Sequence, residues 1–191
     1  GKPVPFVMEL PAYRIPSAKS VLLHMWEKAK DFIRKAFTII FLASMVIWFL
    51  QSFDWSFNLV TDNTTSMLAS IGKFIAPIFT PLGFADWRAS TALITGITAK
   101  ETVVSTFTVL TGASTNAELT TMLHMVFPST LTAFSFLVFT VLYMPCIAAF
   151  AASRRELGSM KSALGTALFQ TSMAYLVSLV IFQVGRLILG I

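Results

Sequence analysis

Residues 143–146 read Tyr-Met-Pro-Cys, and they place the sequence's single cysteine beside a proline inside an apolar run. That run ends at the basic pair Arg154 and Arg155. On a helix, Pro145 has no amide hydrogen for the carbonyl of Val141, and its ring pushes that carbonyl aside. The expected kink leaves the backbone oxygen of Val141, and secondarily that of Leu142, without a partner close to Cys146. In an apolar medium such oxygens need one. A cysteine thiolate and the Met144 thioether are soft ligands, which suit transition metals better than alkali ions. The plainer reading is a tolerated proline next to a small buried thiol. The small residues Ala148, Ala149, Ala151 and Ala152 then let another helix pack closely.

A second stretch, 90–110, reads "STALITGITAKETVVSTFTVL". Placed on one helix at about 100° per residue, Thr91, Thr95, Thr98, Thr102 and Ser105 share a face, with Glu101 at its border. Lys100 then points nearly opposite to Thr91. A carboxylate in mid-segment is costly in lipid and ordinarily faces a cavity, a partner or a transport path. The stripe with Glu101 is expected to line a polar passage. Hydroxyl stripes also serve as packing contacts between helices, and Glu101 also fits a structural ion pair. Gly96 allows a close backbone approach or local unwinding.

His24 and His124 are the remaining obvious metal-ligand types, and both read as interfacial. One cysteine excludes an intrachain disulfide and a multi-cysteine zinc site. The sequence carries no Gly-rich phosphate loop, no Ser/His/Asp constellation and no zincin pattern. No enzyme activity is therefore expected of this chain.

The elements that must position these residues belong to a membrane. The chain has 191 residues, 55% of them hydrophobic and only 12% charged, with 18 Phe. Its mean hydropathy is +0.76. Soluble domains carry roughly 25% charged residues, so this composition cannot cover a water-facing surface. The net charge of +5 lies on cations that flank apolar runs, which serves topology, and no nucleic-acid partner is expected.

The expected fold class is all-α, a polytopic membrane bundle with broken or re-entrant helices. Residues 1–17, with Pro3, Pro5, Pro11 and Pro16, read as an extended lead-in. The remainder, 18–191, reads as one transmembrane domain. Within it, 18–35 is a basic amphipathic helix on the cytoplasmic surface, because Val21, Leu22, Met25, Trp26, Ala29 and Ile33 recur at helical spacing among lysines. Spans are expected near 33–53, 90–110, 128–152 and 162–189. The stretch 66–84 is broken or re-entrant, interrupted by Gly72, Lys73, Pro77, Pro81 and Gly83. The loops at 54–65 and 112–122 carry no Lys or Arg and are placed outside. That leaves two crossings or one re-entrant hairpin for 66–110. The start lacks an initiator Met and a signal-type apolar region, so a piece of a longer chain is expected.

Three strings together are specific. "PFVMELPAYRIP" (5–16), "PLGFADWRASTALITGITAKETVVST" (81–106) and "YMPCIAAFAASRRELGSMKSAL" (143–164) resemble the membrane half of the ferrous iron transport protein B family, at its second gate region. The resemblance covers essentially the whole chain, in order. It implies import of Fe²⁺ across the bacterial inner membrane and a shape like that of nucleoside carriers. It also implies an N-terminal GTP-binding domain and a first gate elsewhere in the same protein. Cys146 matches the family's proline–cysteine position, Glu101 its Ala-Lys-Glu position and Glu9 its Met-Glu-Leu-Pro glutamate. The sequence departs at "PAYR", where a second proline is more usual. It departs again at "CIAAFAA", where a Thr is common, so no hydroxyl ligand is expected there.

The resulting expectation is a midplane site where Fe²⁺, as substrate, sheds water onto Cys146, freed carbonyls including that of Val141, and Glu101 and Met144. No permanently bound cofactor is expected, and GTP with Mg²⁺ would act only through the other domain. Implied partners are the bilayer, small accessory iron-transport proteins and a second copy of the chain. Two rival readings stand beside it. One is a carrier for an organic solute such as a nucleoside, using the hydroxyl stripe; the other is a scaffold that transports nothing itself.

Overall fold

A computed structural model describes residues 17–60, 62–112 and 115–190. The Pro-rich lead-in and Glu9 lie outside the described residues. The chain divides into two compact units, 1–35 and 36–191. Residues 17–34 are exposed throughout, so this stretch builds no core.

The described residues form eight α-helices and no strand: α1 (Ala18–Ser52), α2 (Met67–Ile75), α3 (Trp87–Gly96), α4 (Thr102–Thr111), α5 (Asn116–Val126), α6 (Thr130–Leu142), α7 (Ile147–Glu156) and α8 (Met160–Leu189). The amphipathic stretch and first span read from sequence are one continuous helix, α1. Three segments are long and apolar enough to cross a membrane: α1, the run Thr130–Glu156 and α8. Large apolar side chains along α8, among them Leu168, Phe169, Leu176 and Leu187, are exposed. Backbone groups satisfied within helices beneath an apolar exterior are what lipid requires. The chain is a multi-pass membrane helical protein.

The 66–84 stretch is broken, for reasons written in its residues. Ser66 caps α2 by accepting a hydrogen bond from the Ala69 amide at 3.1 Å. The helix then tightens into a 3-10 segment, Ala76–Leu82, with Pro77 at its start and Pro81 inside. Gly83 ends it at φ 90°, a left-handed conformation that glycine alone adopts without strain. A side chain there would also strike the Phe182 ring. Asp86 starts α3 by accepting from the Arg88 amide at 2.7 Å. The two helical halves meet at a bend of 102°.

In a 3-10 segment the amide of residue 81 would pair with the carbonyl of residue 78, and proline cannot donate. α8 supplies the missing donors. The Tyr175 hydroxyl donates to Ile78 O at 3.0 Å and the Gln183 amide to Pro81 O at 2.9 Å. From α6, the Ser135 hydroxyl donates to Leu82 O at 2.9 Å. Around this segment stacks an aromatic core: Phe79, Phe84, Phe107, Phe127, Phe136, Phe139 and Tyr143 are all buried. Phe84, for example, meets Phe79, Phe136 and Phe139 at ring-centroid distances of 5.3, 5.3 and 6.0 Å. Offset and edge-on pairs of this kind add to the area they bury.

Candidate ion site at two facing helix breaks

Both stretches singled out in the sequence are interrupted, and the interruptions face each other. The expected single helix over 90–110 is instead α3 and α4, separated by residues 97–101. The expected kink at Pro145 is a full break, residues 143–146, with Cys146 at the N-cap of α7. A proline forbids the helical bond at its own position and pushes the preceding residue toward extended backbone. Two residues before Pro145, Tyr143 already leaves the helix with ψ 174°.

Backbone and side chain join the two breaks. The Ile147 amide, first in α7, donates to Ile97 O at 2.8 Å. The Tyr143 hydroxyl donates to Leu93 O at 3.2 Å. Leu93 O is available because the Ile97 amide turns to Ile94 O instead, at 3.2 Å. Gly96 permits the approach, since a Cβ there would overlap the Tyr143 hydroxyl and the Val103 side chain.

The oxygen of Val141 is not bare. The Lys100 ammonium donates to it at 2.8 Å and to Tyr143 O at 3.3 Å. The same ammonium lies 4.8 Å from the centroid of the Tyr143 ring, within cation–π range. The proline has done what its chemistry dictates and freed a carbonyl at the C-terminal, negative end of α6. A cation from the facing break has filled it. The sequence reading missed both Lys100 and Tyr143. On an uninterrupted helix Lys100 projects away from the stripe; once the helix ends at Gly96, that projection no longer holds.

The break also redistributes the other residues. Glu101 is exposed and makes no capping bond at the start of α4. The hydroxyls mostly tie up the break. Thr98 donates to Thr95 O at 2.7 Å, and Thr102 donates to Ala99 O and Thr95 O at 2.7 and 3.0 Å. Thr95 and Thr106 share a hydrogen bond of 2.7 Å, while Thr91 donates to Trp87 O at 2.8 Å. Ser105 is exposed on α4. The stripe is thus split, with Thr91 and Thr95 on α3, Thr98 in the break, and Thr102 and Ser105 on α4.

Cys146 is a free thiol of intermediate exposure. Met144 packs against the aromatic core. Of the two histidines, His24 lies on α1 with Nδ1 4.0 Å from Glu27, and His124 is exposed on α5. Among the described residues no three His, Cys, Asp or Glu side chains gather where they could hold a metal. At the breaks the Lys100 ammonium is held by backbone oxygens, and Cys146 stands in the same break. A cavity of about 980 Å³ opens alongside, lined by α4, α5 and α6 with Lys100, Phe107, Leu123, Phe136 and Thr140 among its walls.

Comparison with known proteins bears on this arrangement. The family model described as Gate, nucleoside recognition, matches residues 33–160. The chain belongs to the gate family. A second model, the ferrous iron transport protein B C terminus, matches residues 1–28. A Staphylococcus aureus protein named Fe(2+) transporter FeoB is 37% identical over 182 residues, covering 95% of this chain and 27% of that protein. One of the same name from Methanocaldococcus jannaschii is 39% identical over 189 residues, covering 95% and 28%. A Porphyromonas gingivalis protein, named as a fusion of Fe(2+) transport protein A with FeoB, is 34% identical over 232 residues, covering 96% and 27%. The gate-family chain thus spans little more than a quarter of the length of these relatives. The resemblance to ferrous iron transport protein B noted in its motifs holds along nearly its whole length. No solved structure matches it.

Proposed function

We propose that this gate-family chain is the membrane part of a ferrous iron importer of the bacterial inner membrane, with Fe²⁺ as substrate. The observation that carries the reading is the pairing of two helix breaks at Cys146. There the α6 carbonyls point at a cation, in a chain whose relatives are named Fe(2+) transporters. Broken helices whose freed carbonyls coordinate ions are a recurrent transporter device.

In this mechanism, hydrated Fe²⁺ exchanges water for the oxygens of Val141 and Tyr143 and the sulfur of Cys146. Sulfur biases the set toward Fe²⁺ and against Mg²⁺ and Ca²⁺, which take oxygen ligands. Met144 is a further soft donor if the break opens away from the core. The exposed Glu101 carboxylate offsets cation charge on the approach, and the split hydroxyl series of Thr91, Thr95, Thr98, Thr102 and Ser105 lines the path as the halves move. Glu9 is carried only as a match to the family's Met-Glu-Leu-Pro motif. GTP and Mg²⁺ act through a separate N-terminal domain and a first gate of the same protein, with residues 18–35 on the cytoplasmic side. The fused relative supports a small accessory transport protein as partner, and a second copy of the chain is a further one.

The test is Fe²⁺ uptake by cells carrying the full-length protein. Cys146→Ser lowers uptake at least about tenfold, the loss of roughly one good ligand interaction, and Glu101→Ala lowers it less. Uptake at the wild-type rate by both variants, at equal expression, would rule the site out.

A second reading is favoured by the nucleoside-recognition description of the matched family model and by the 980 Å³ cavity, a volume suited to a small organic solute. Competition by nucleosides for uptake, with no effect of Cys146→Ser, would select it.

A further inference from the structure

Lys100 poses a problem that the transport reading alone does not answer. Its ammonium sits in an apolar segment, and among the described residues no carboxylate lies within ion-pair distance of it. Its partners are Val141 O at 2.8 Å, Tyr143 O at 3.3 Å and the face of the Tyr143 ring. Satisfying carbonyls freed by a proline does not need a charge. At Ile78, Pro81 and Leu82 the same task falls to a phenol, an amide and a hydroxyl. Lys100 is half-buried, and an ammonium loses more than a neutral donor does when part of its water is removed, so a neutral donor would serve structure at lower cost. The charge is the unexplained part.

The position explains it. Two backbone oxygens and an aromatic face, at the negative end of a helix and one residue pair from a thiol, make a site for a cation, and Lys100 is the cation that occupies it. The side chain also borders the 980 Å³ cavity between α4, α5 and α6. An ammonium on a flexible stem therefore has two places to be, on the carbonyls or in the cavity, and can exchange them by rotating its own bonds.

We propose that Lys100 is a tethered cation that fills the ion site between transport events and swings into the adjacent cavity when Fe²⁺ arrives. This rests on the ion site of the preceding subsection and adds its regulation. Occupancy by the tether keeps the freed carbonyls paired and holds α6 against the 97–101 break, so the empty site neither collapses nor admits water. A divalent ion is attracted to the two oxygens and the sulfur more strongly than a monovalent ion is, so Fe²⁺ displaces the ammonium where Na⁺ and K⁺ do not. The binding-competent state is the one with the tether out, so apparent affinity is reduced by the fraction of time the tether is in.

Sign separates this from a structural role. Lys100→Met removes the competitor and tightens apparent Fe²⁺ binding about tenfold or more, whereas loss of a purely structural contact loosens the break and weakens binding. Lys100→Arg keeps the charge and is not tightened. Weaker binding by a folded Lys100→Met protein overturns the proposal.

A wild-type measurement avoids any failure of variants to fold. Full-length protein in nanodiscs, without oxygen, is treated with acetic anhydride and iodoacetamide in the presence or absence of Fe²⁺, and both residues are read by peptide mass spectrometry. Fe²⁺ is expected to protect Cys146 from alkylation and to increase Lys100 acetylation several-fold. Protection of Cys146 with unchanged Lys100 labelling overturns the tether and leaves the transport site standing. Increased Lys100 labelling with an unprotected Cys146 supports the tether and removes the thiol from the ligand set. No change at either residue overturns both.

Discussion

Two regions of this protein contain a proline that cuts a helix, and they resolve the same backbone problem in different ways. At 76–83 the freed oxygens of Ile78, Pro81 and Leu82 accept from Tyr175, Gln183 and Ser135. All three donors are neutral, and two come from α8, which crosses the segment. At 141–146 the freed oxygens of Val141 and Tyr143 accept from an ammonium. A proline break is therefore not itself a functional signature. Under the proposal the group that fills the gap distinguishes the two: neutral donors lock the first bend, and an ammonium holds the place of an ion at the second.

The comparison can be broken by substitutions that treat the two regions alike. The largest effect is expected where the second region is held together. Gly96→Val drives a side chain into Tyr143 and Val103, an overpacking that costs about 3 kcal/mol. A fall in folded yield and thermal stability, with loss of uptake, is the expected readout; near-wild-type stability would mean the breaks do not meet as closely as described. Next comes Ser135→Ala at the buried end of the first region. It leaves Leu82 O unpaired at a cost of about 1–3 kcal/mol, seen as a lower unfolding temperature, while Fe²⁺ affinity stays unchanged. Tyr175→Phe sharpens the contrast at the partly exposed end, costing about 1 kcal/mol and again sparing affinity. Any of these first-region changes that altered metal binding would erase the distinction drawn between the regions.

The smallest effect belongs to a polar loop outside both. The Asn58 amide, with that of Ser56, holds the Asp54 carboxyl below its ordinary range despite an opposing desolvation effect. These amides donate to Asp54 Oδ1 at 3.0 and 2.8 Å. A carboxyl whose folded pKa is depressed contributes stability above its unfolded pKa and loses it as pH falls through the folded one. Asp54→Asn should therefore be slightly less thermostable than wild type at pH 7, and the difference should close below about pH 4. A difference that grew on acidification would contradict the loop geometry.

Much of this was legible in the residues. Pro77, Pro81 and Gly83 announce the first break and Pro145 the second, because proline's missing donor is a local fact. Val141 O follows from Pro145 by counting back four residues. What fills each gap was not legible. Tyr175 and Gln183 lie 97 and 102 residues from the oxygens they meet, a pairing set by packing alone. Lys100 was lost for a different reason. A helical wheel adds a fixed angle per residue, and the sum loses meaning across the unwound 97–101. The same sum placed Glu101 on one helix with Thr91 and Thr95, when it stands exposed at the start of a new one. Gly96 carried the hint, but a glycine that tolerates unwinding does not compel it. The continuity of α1 was hidden too, since a change from amphipathic to wholly apolar composition marks a change of surroundings and not the end of a helix.

The central claim is that iron meets the sulfur of Cys146 together with oxygen donors at the α6–α7 break. X-ray absorption at the iron edge of the full-length protein, loaded with Fe²⁺ without oxygen, reads that shell directly. A sulfur scatterer among oxygens, lost in Cys146→Ser at equal iron loading, is the predicted result. A shell of oxygen and nitrogen alone in the wild type, unchanged by the substitution, would contradict it.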